Sequence, residues 1–432
     1  MKQKKTQSPK LKTAQEFVNV EDISDGILYA QDGFLFSYLS IRAGDSKLMN
    51  EDERISEAAN LAASLAGEQE PWQLLSVPRT VDTLGMIEHL AQLRRTTQED
   101  ARLKLLNGEI AALQEMAREG TKEPMIVLKC WMKAARGADL VLKKRVHELR
   151  ARLEENRVSA SVMPDPEITY LCKVFADLTT YQETEEHFDE DVPLLTGQPR
   201  RITKKAGQET AASELRNLIT PIGGLTFGIS RIIIGGVLGR VYGATRYPAE
   251  LDYGWAIELM NASDCITAIT YTPGNAGELG NALSRSISAS SKDAASERDA
   301  RRRKRLERQA QDADSLLGEM DYRSAAIGQM NLLTMPFSDD EERFEDVCRG
   351  VVGRYARKRI KLKSLGAMQK EGYMQLSPYY ATQPKIDNIV RQIMPLESLV
   401  GGSPMTVNLY RDARGYYFGR TMDGSIISLD QQ

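Results

Sequence analysis

Between residues 25 and 181, short runs of β-branched and aromatic residues alternate with segments of helical period, and few folds bury both kinds of element. The stretch 25–41, DGILYAQDGFLFSYLSI, reads as two strands about Asp32-Gly33. Residues 50–67 follow as a helix: Asn50 caps it, Glu53 stands three positions on, Ile55, Ala58, Ala62 and Leu65 share a face, and Gly67 stops it. PWQLLSVP (71–78) and EPMIVLKCWM (123–132) read as strands bracketing helical material in which Leu103, Leu106, Ile110 and Leu113 recur. An amphipathic helix over 137–156, a strand at VSASVM and a helix over 166–181 complete this part. The pattern predicts an α+β protein of two mixed domains, with helices packed on mostly antiparallel sheets.

Residues 182–213 break the alternation with an acidic cluster, ETEEHFDEDV, followed by GQPRRITKKAGQ, and read as a charged linker. The expected organisation is a basic tail over 1–14, one domain over 15–181, the linker, and a second domain over 214–432. In the second domain, strand-like runs at 231–248 and 264–273 precede about fifty proline-free residues, polar almost all round, that predict a protruding helix or helical hairpin. MNLLTMPF (330–337) reads as a strand. SDDEERFEDVCRGVVGRYARKRIKLKSLG (338–366) then predicts one long helix with Ser338 as cap, acids first and Arg354, Arg357, Lys358, Arg359, Lys361 and Lys363 last, as the helix dipole favours. GYMQLSPYYATQP and PLESLVGGSP read as irregular. The last residues predict a hairpin, with Tyr416, Tyr417 and Phe418 on one arm, Ile426, Ile427 and Leu429 on the other, and Asp423-Gly424 in a two-residue turn. Such a pair needs a sheet beside it.

The chemistry is sparse. Cys130, Cys172, Cys265 and Cys348 are far apart, as are His89, His147 and His187, so neither a disulfide framework nor a metal site is expected. Gly274, Gly277 and Gly280 have the wrong spacing for a dinucleotide turn, and no P-loop, serine-hydrolase elbow or zinc-protease helix occurs. No catalytic residue and no cofactor is expected. A net charge of −3 is not that of a polycation made for nucleic acid. Two basic stretches could still hold phosphate: Arg301, Arg302, Arg303, Lys304, Arg305 and Arg308, and the 354–363 helix end. The first sits among Glu297, Asp299 and Glu307 at ion-pairing distances along a helix, and the second has a local role at a helix end. No secretory signal and no run of about eighteen apolar residues occurs, which leads us to expect a cytoplasmic protein.

LITPIGGLTF, YGATRYPAE, YTPGNAGELGNALSR, LLTMPFSDDEERFEDV and GYYFGRTMDGSIISLD, in that order, resemble the amino-terminal part of the conjugative-transfer, type IV secretion ATPases of the CagE and TrbE kind, the VirB component-four family. VEDISDGILYAQDGFLFSYLSI looks like the more variable first domain of its conjugation-element members. The resemblance implies a non-catalytic docking and assembly module of a transfer motor, peripheral to the cytoplasmic membrane. Its implied partners are inner-membrane components, a motor domain in cis or in trans, and further copies of itself. ATP and magnesium would belong to that motor domain, whose Walker residues match no position here, and the closing hairpin would mark the seam with it. The alternative is a nucleic-acid-binding accessory factor.

Overall fold

The computed structural model describes residues 14–42, 51–81, 83–119, 121–178, 208–248, 250–274, 276–323, 326–406, 410–411, 416–420 and 426–429. In the first half, β1 (Val20–Ser24), β2 (Ile27–Ala30) and β3 (Phe34–Ile41) lead to α1 (Glu51–Leu65) and β4 (Trp72–Thr80). A helical hairpin, α2 (Leu84–Thr96) and α3 (Asp100–Glu119), precedes β5 (Lys122–Lys133), α4 (Ala138–Glu155), β6 (Ala160–Val162) and α5 (Asp165–Ala176). The second half has α6 (Gln208–Ile219), β7 (Leu225–Phe227), β8 (Ile232–Ile234), β9 (Val237–Gly239), β10 (Tyr242–Arg246), α7 (Ile257–Met260) and β11 (Cys265–Pro273). A second hairpin, α8 (Ala276–Ser296) and α9 (Ala300–Arg323), precedes β12 (Ile327–Ser338), α10 (Glu341–Arg357) and β13 (Lys361–Ser364). Then come α11 (Gln369–Leu376), α12 (Pro384–Val390), β14 (Gln392–Pro395), α13 (Leu396–Gly401), β15 (Tyr410–Arg411), β16 (Tyr416–Arg420) and β17 (Ile426–Leu429).

The fold is α+β, built on a 14-stranded sheet whose pairings are all antiparallel. Its two halves repeat one topology. In the first, β3-α1-β4, a helical hairpin, and β5-α4-β6 pair in the order β6-β3-β5-β4. In the second, β10-α7-β11, a helical hairpin, and β12-α10-β13 pair in the order β13-β10-β12-β11. Each is the β-α-β-β-α-β unit of ferredoxin-like folds with a helical hairpin inserted between its middle strands. The halves meet edge to edge, β4 against β11, from Trp72↔Tyr271 to Ser76↔Thr267. Because that pairing is antiparallel, the two inserted hairpins leave the sheet at opposite ends.

Helices cover both faces of the central strands, which explains their nearly unbroken apolar runs. Leu74, Leu128, Ile269 and Leu332 pack under α1, α4, α10 and α13. Leu75, Val127, Ala268 and Leu333 pack under α5, α11 and α12. On the second face a row of polar side chains crosses five strands in register: Tyr38, Lys129, Gln73, Thr270 and Asn331. None is more than 5% exposed. Their partners lie on the segment that crosses the face from α11 to α12. Tyr38 Oη donates to Pro378 O at 2.9 Å, Lys129 Nζ to Ser377 O and Tyr380 O at 2.9 Å each, and Gln73 Nε2 to Gln375 O at 3.0 Å. Asn331 donates to the Asp387 carboxylate. An irregular segment buried over a sheet needs partners for its carbonyls, and this row supplies them across the seam.

Several elements depart from the sequence reading. The helix expected over 338–366 ends at Arg357, where Arg359 takes a left-handed φ of 58°, so Lys361 and Lys363 lie on β13. Its cap is Asp340 rather than Ser338: Asp340 Oδ1 accepts from Glu342 N at 2.8 Å and Arg343 N at 3.2 Å. Helix α6 begins inside the stretch read as linker, and α11 and α13 occupy stretches read as irregular. The Asn50 cap lies outside the described residues.

Candidate functional site

The α8–α9 hairpin is an arm. At about 1.5 Å per residue, the 24 residues of α9 extend roughly 36 Å. Its root is tight: a Cβ at Gly274 would lie 2.0 Å from Leu279 Cδ1, so close helix-to-strand packing, rather than a phosphate-binding turn, accounts for that glycine. Along the arm, Leu279, Leu283, Ile287 and Ala294 of α8 supply buried and half-buried positions at helical spacing, as do Leu306, Ala310, Ala313 and Leu317 of α9. These rows form the seam between the two helices.

Charge is sorted along the arm. From Arg285 to Arg308, around the turn, nine basic residues stand against four acids, whereas 309–323 holds one basic residue and four acids. All six cations singled out from the sequence, Arg301, Arg302, Arg303, Lys304, Arg305 and Arg308, are exposed. Arg302 pairs with Glu297 at 3.1 Å and Arg303 with Glu307 at 3.9 Å. Arg301, Lys304, Arg305 and Arg308 have no ion pair among the described residues, so the local neutralisation expected from the sequence is only partial. At about 100° per residue, Arg301, Lys304 and Arg308 lie opposite Leu306, facing away from α8, with Arg305 beside them. The unpaired four thus form one outward stripe at i, i+3, i+4 and i+7. The stripe begins in the first turn of α9 at Arg301, where the dipole disfavours a cation; that turn holds no acid. Asp299 is the local compensation, with Oδ1 accepting from Arg301 N at 2.8 Å and Arg302 N at 3.2 Å. One exposed face of α8 carries Asn281, Ser284, Arg285, Ser288, Ala289 and Lys292, with Asp293 the acidic exception.

The second basic set is divided and put to structural use. Arg354 pairs with Asp264, and Arg357 with Glu258 at 2.6 Å, tying α10 to the start of β11 and to α7. Lys358 and Arg359 form the turn after α10, while Lys361 and Lys363 pair with Arg246 and Gly243 across β13 and β10.

The third set lies on a separate three-stranded sheet, ordered β15-β17-β16. Tyr416 pairs with Leu429 and Arg420 with Ile426, with an irregularity at Phe418; Ile427 pairs with Gly419 and, on β17's other side, with Tyr410. The two-residue turn expected at Asp423-Gly424 lies outside the described residues.

Sequence reasoning missed the buried polar row. Lys129 and Gln73 interrupt runs that are otherwise apolar, and a lysine centred in a buried strand was the available signal. Burial pushes the Lys129 ammonium down to about 7, while its neighbour Cys172 acts the other way. All four cysteines are buried and unpaired. Among the described residues, no group of three or more His, Cys, Asp or Glu could hold a metal ion, and no helix is long and apolar enough to cross a membrane. No protein-family model matches the chain, and no curated protein matches it.

Proposed function

We propose that the chain is a non-catalytic docking and assembly module of a conjugative, type IV secretion motor, peripheral to the cytoplasmic membrane. The two fused halves are its platform and the α8–α9 arm is its docking element. The observation that carries this reading is the arm, which roots on the platform through Gly274 and Leu279 and presents a charged surface beyond it. Exposed charge on a rigid projection gives orientation and fast encounter rather than a permanent apolar interface. ATP hydrolysis would belong to a motor domain that this module positions, and the β15–β17 sheet is the natural seam with it. The test is charge reversal at Arg301, Arg302 and Arg303 in cells that carry the transfer system. Loss of co-purification with the inner-membrane components, together with loss of transfer, is expected. Unchanged assembly and transfer would remove the arm as the docking element.

A further inference from the structure

We propose that the outward stripe of α9 holds the phosphodiester backbone of a nucleic-acid strand without reading its sequence. The proposal rests on the arm being the docking element and names what its outward face takes. Arg301, Lys304, Arg305 and Arg308 are exposed, lie on one helical face and have no ion pair among the described residues. They span seven residue steps, about 10 Å of helix axis. Duplex DNA carries a negative charge per about 1.7 Å of its axis, at least the density of four cations in about 10 Å, so a phosphodiester backbone can neutralise the whole stripe. Three of the four cations are arginines, whose planar donors bind phosphate oxygens in pairs.

The position of the stripe adds to this. Arg301 in the first turn opposes the helix dipole, and a bound anion relieves both that mismatch and the mutual repulsion of the four cations. One exposed face of α8 sets Asn281, Ser284 and Ser288 beside Arg285 and Lys292, donor types that contact phosphate and sugar, with Asp293 the one acid among them. The outward stripe has no apolar residue to enter a bilayer, which argues against a lipid surface. It has no aromatic residue for stacking either, so the contact is blind to base identity. Distance separates the tip from the body: an arm of roughly 36 Å exceeds the Debye length of about 8 Å, so the chain's net charge of −3 does not repel a strand held there.

The test uses the purified full chain, a labelled single strand and a labelled duplex of mixed sequence, with affinity followed from low to physiological salt. Engagement of all four cations predicts a slope of log K against log salt of about −3 for the single strand and about −4 for the duplex. R301Q/K304Q/R305Q/R308Q should bind at least about tenfold more weakly at low salt with a nearly flat slope. R302Q/R303Q, which removes the paired cations, should keep most of the binding, and circular dichroism should find both variants folded. Equal binding by the quadruple variant, or capture of the wild type by phosphatidylserine vesicles or polyglutamate but not by either oligonucleotide, would overturn the proposal. If the oligonucleotides fail while charge reversal still abolishes assembly, the docking reading stands alone. If they bind while reversal leaves transfer intact, the docking reading falls and the strand-binding stripe remains.

Discussion

Helices α9 and α10 are both long, charged and close in sequence, yet they place charge in opposite ways. α10 opens with Glu341 and Glu342 behind an Asp340 cap and closes with Arg354 and Arg357. Its charges also reach the body: Arg231 meets Glu341 at 2.8 Å, Arg240 meets Glu345 at 2.6 Å, and Arg354 meets Asp264. α9 also has an aspartate cap, Asp299, but after Ala300 it runs through five consecutive cations and holds no acid in its first turn. Each cation within that first turn costs about 0.3–1 kcal/mol at low salt, and the effect fades beyond it. A helix that breaks the local rules beside one that keeps them points to selection for something other than stability. α10 ties elements of the platform together, and α9 turns its unpaired cations outward.

The comparison can be broken first at α10's apolar face. Phe344 is 2% exposed among Leu238, Tyr242 and Cys348. Phe344→Ala should cost about 3–5 kcal/mol in urea unfolding. Leu306→Ala, at the half-buried α8–α9 seam, should cost clearly less and leave the platform intact.

A buried cation sharpens the contrast with α9's exposed ones. Lys129 has a folded-state value of about 7, lowered by burial, against about 10.4 in the unfolded chain. Between these values the unfolded state binds more protons, so stability should rise with pH from about 7 toward 10, by up to about 1.4 kcal/mol per unit. Below pH 7 both states are protonated and the contribution is constant. Lys129→Met should flatten that rise, as urea midpoints across the range would record. A rise of the same size in the variant would assign the dependence elsewhere.

Capping and dipole placement give the smaller effects. Asp340→Ala, which removes the acceptor for two backbone N–H groups, should cost about 1 kcal/mol. Glu341→Lys should weaken the start of α10 by about 0.3–1 kcal/mol, while Arg301→Glu should strengthen the start of α9 by a similar amount. Amide exchange over the two helix starts reads these opposite signs locally.

How much of this was legible follows from where the information lies. β5 and α4 carry their periodicity in neighbouring residues and were readable. α10 was overextended because Lys361 and Lys363 continue its basic end in composition, although Lys361-Leu362-Lys363 had already changed to a two-residue period. α11 was missed because its conformation depends on packing more than on propensity: a Cβ at Gly372 would stand 2.6 Å from Leu365 Cδ1 and 2.9 Å from Val241 Cγ1. The β4–β11 seam joins residues from opposite halves of the chain, and nothing local specifies that partner. At the arm the cations were plain in the sequence. Which of them lack a partner depends on helix phase relative to α8, and that required Leu306 and Ala313 to be placed on the seam.

The most direct measurement is amide hydrogen exchange across residues 300–308 in the wild type and in R301Q/K304Q/R305Q/R308Q at low salt. If the stripe is held against the helix dipole for a partner's sake, protection at the start of α9 rises or stays level when the charge is removed. Weaker protection in the variant would mean that these cations stabilise the helix, contradicting the account.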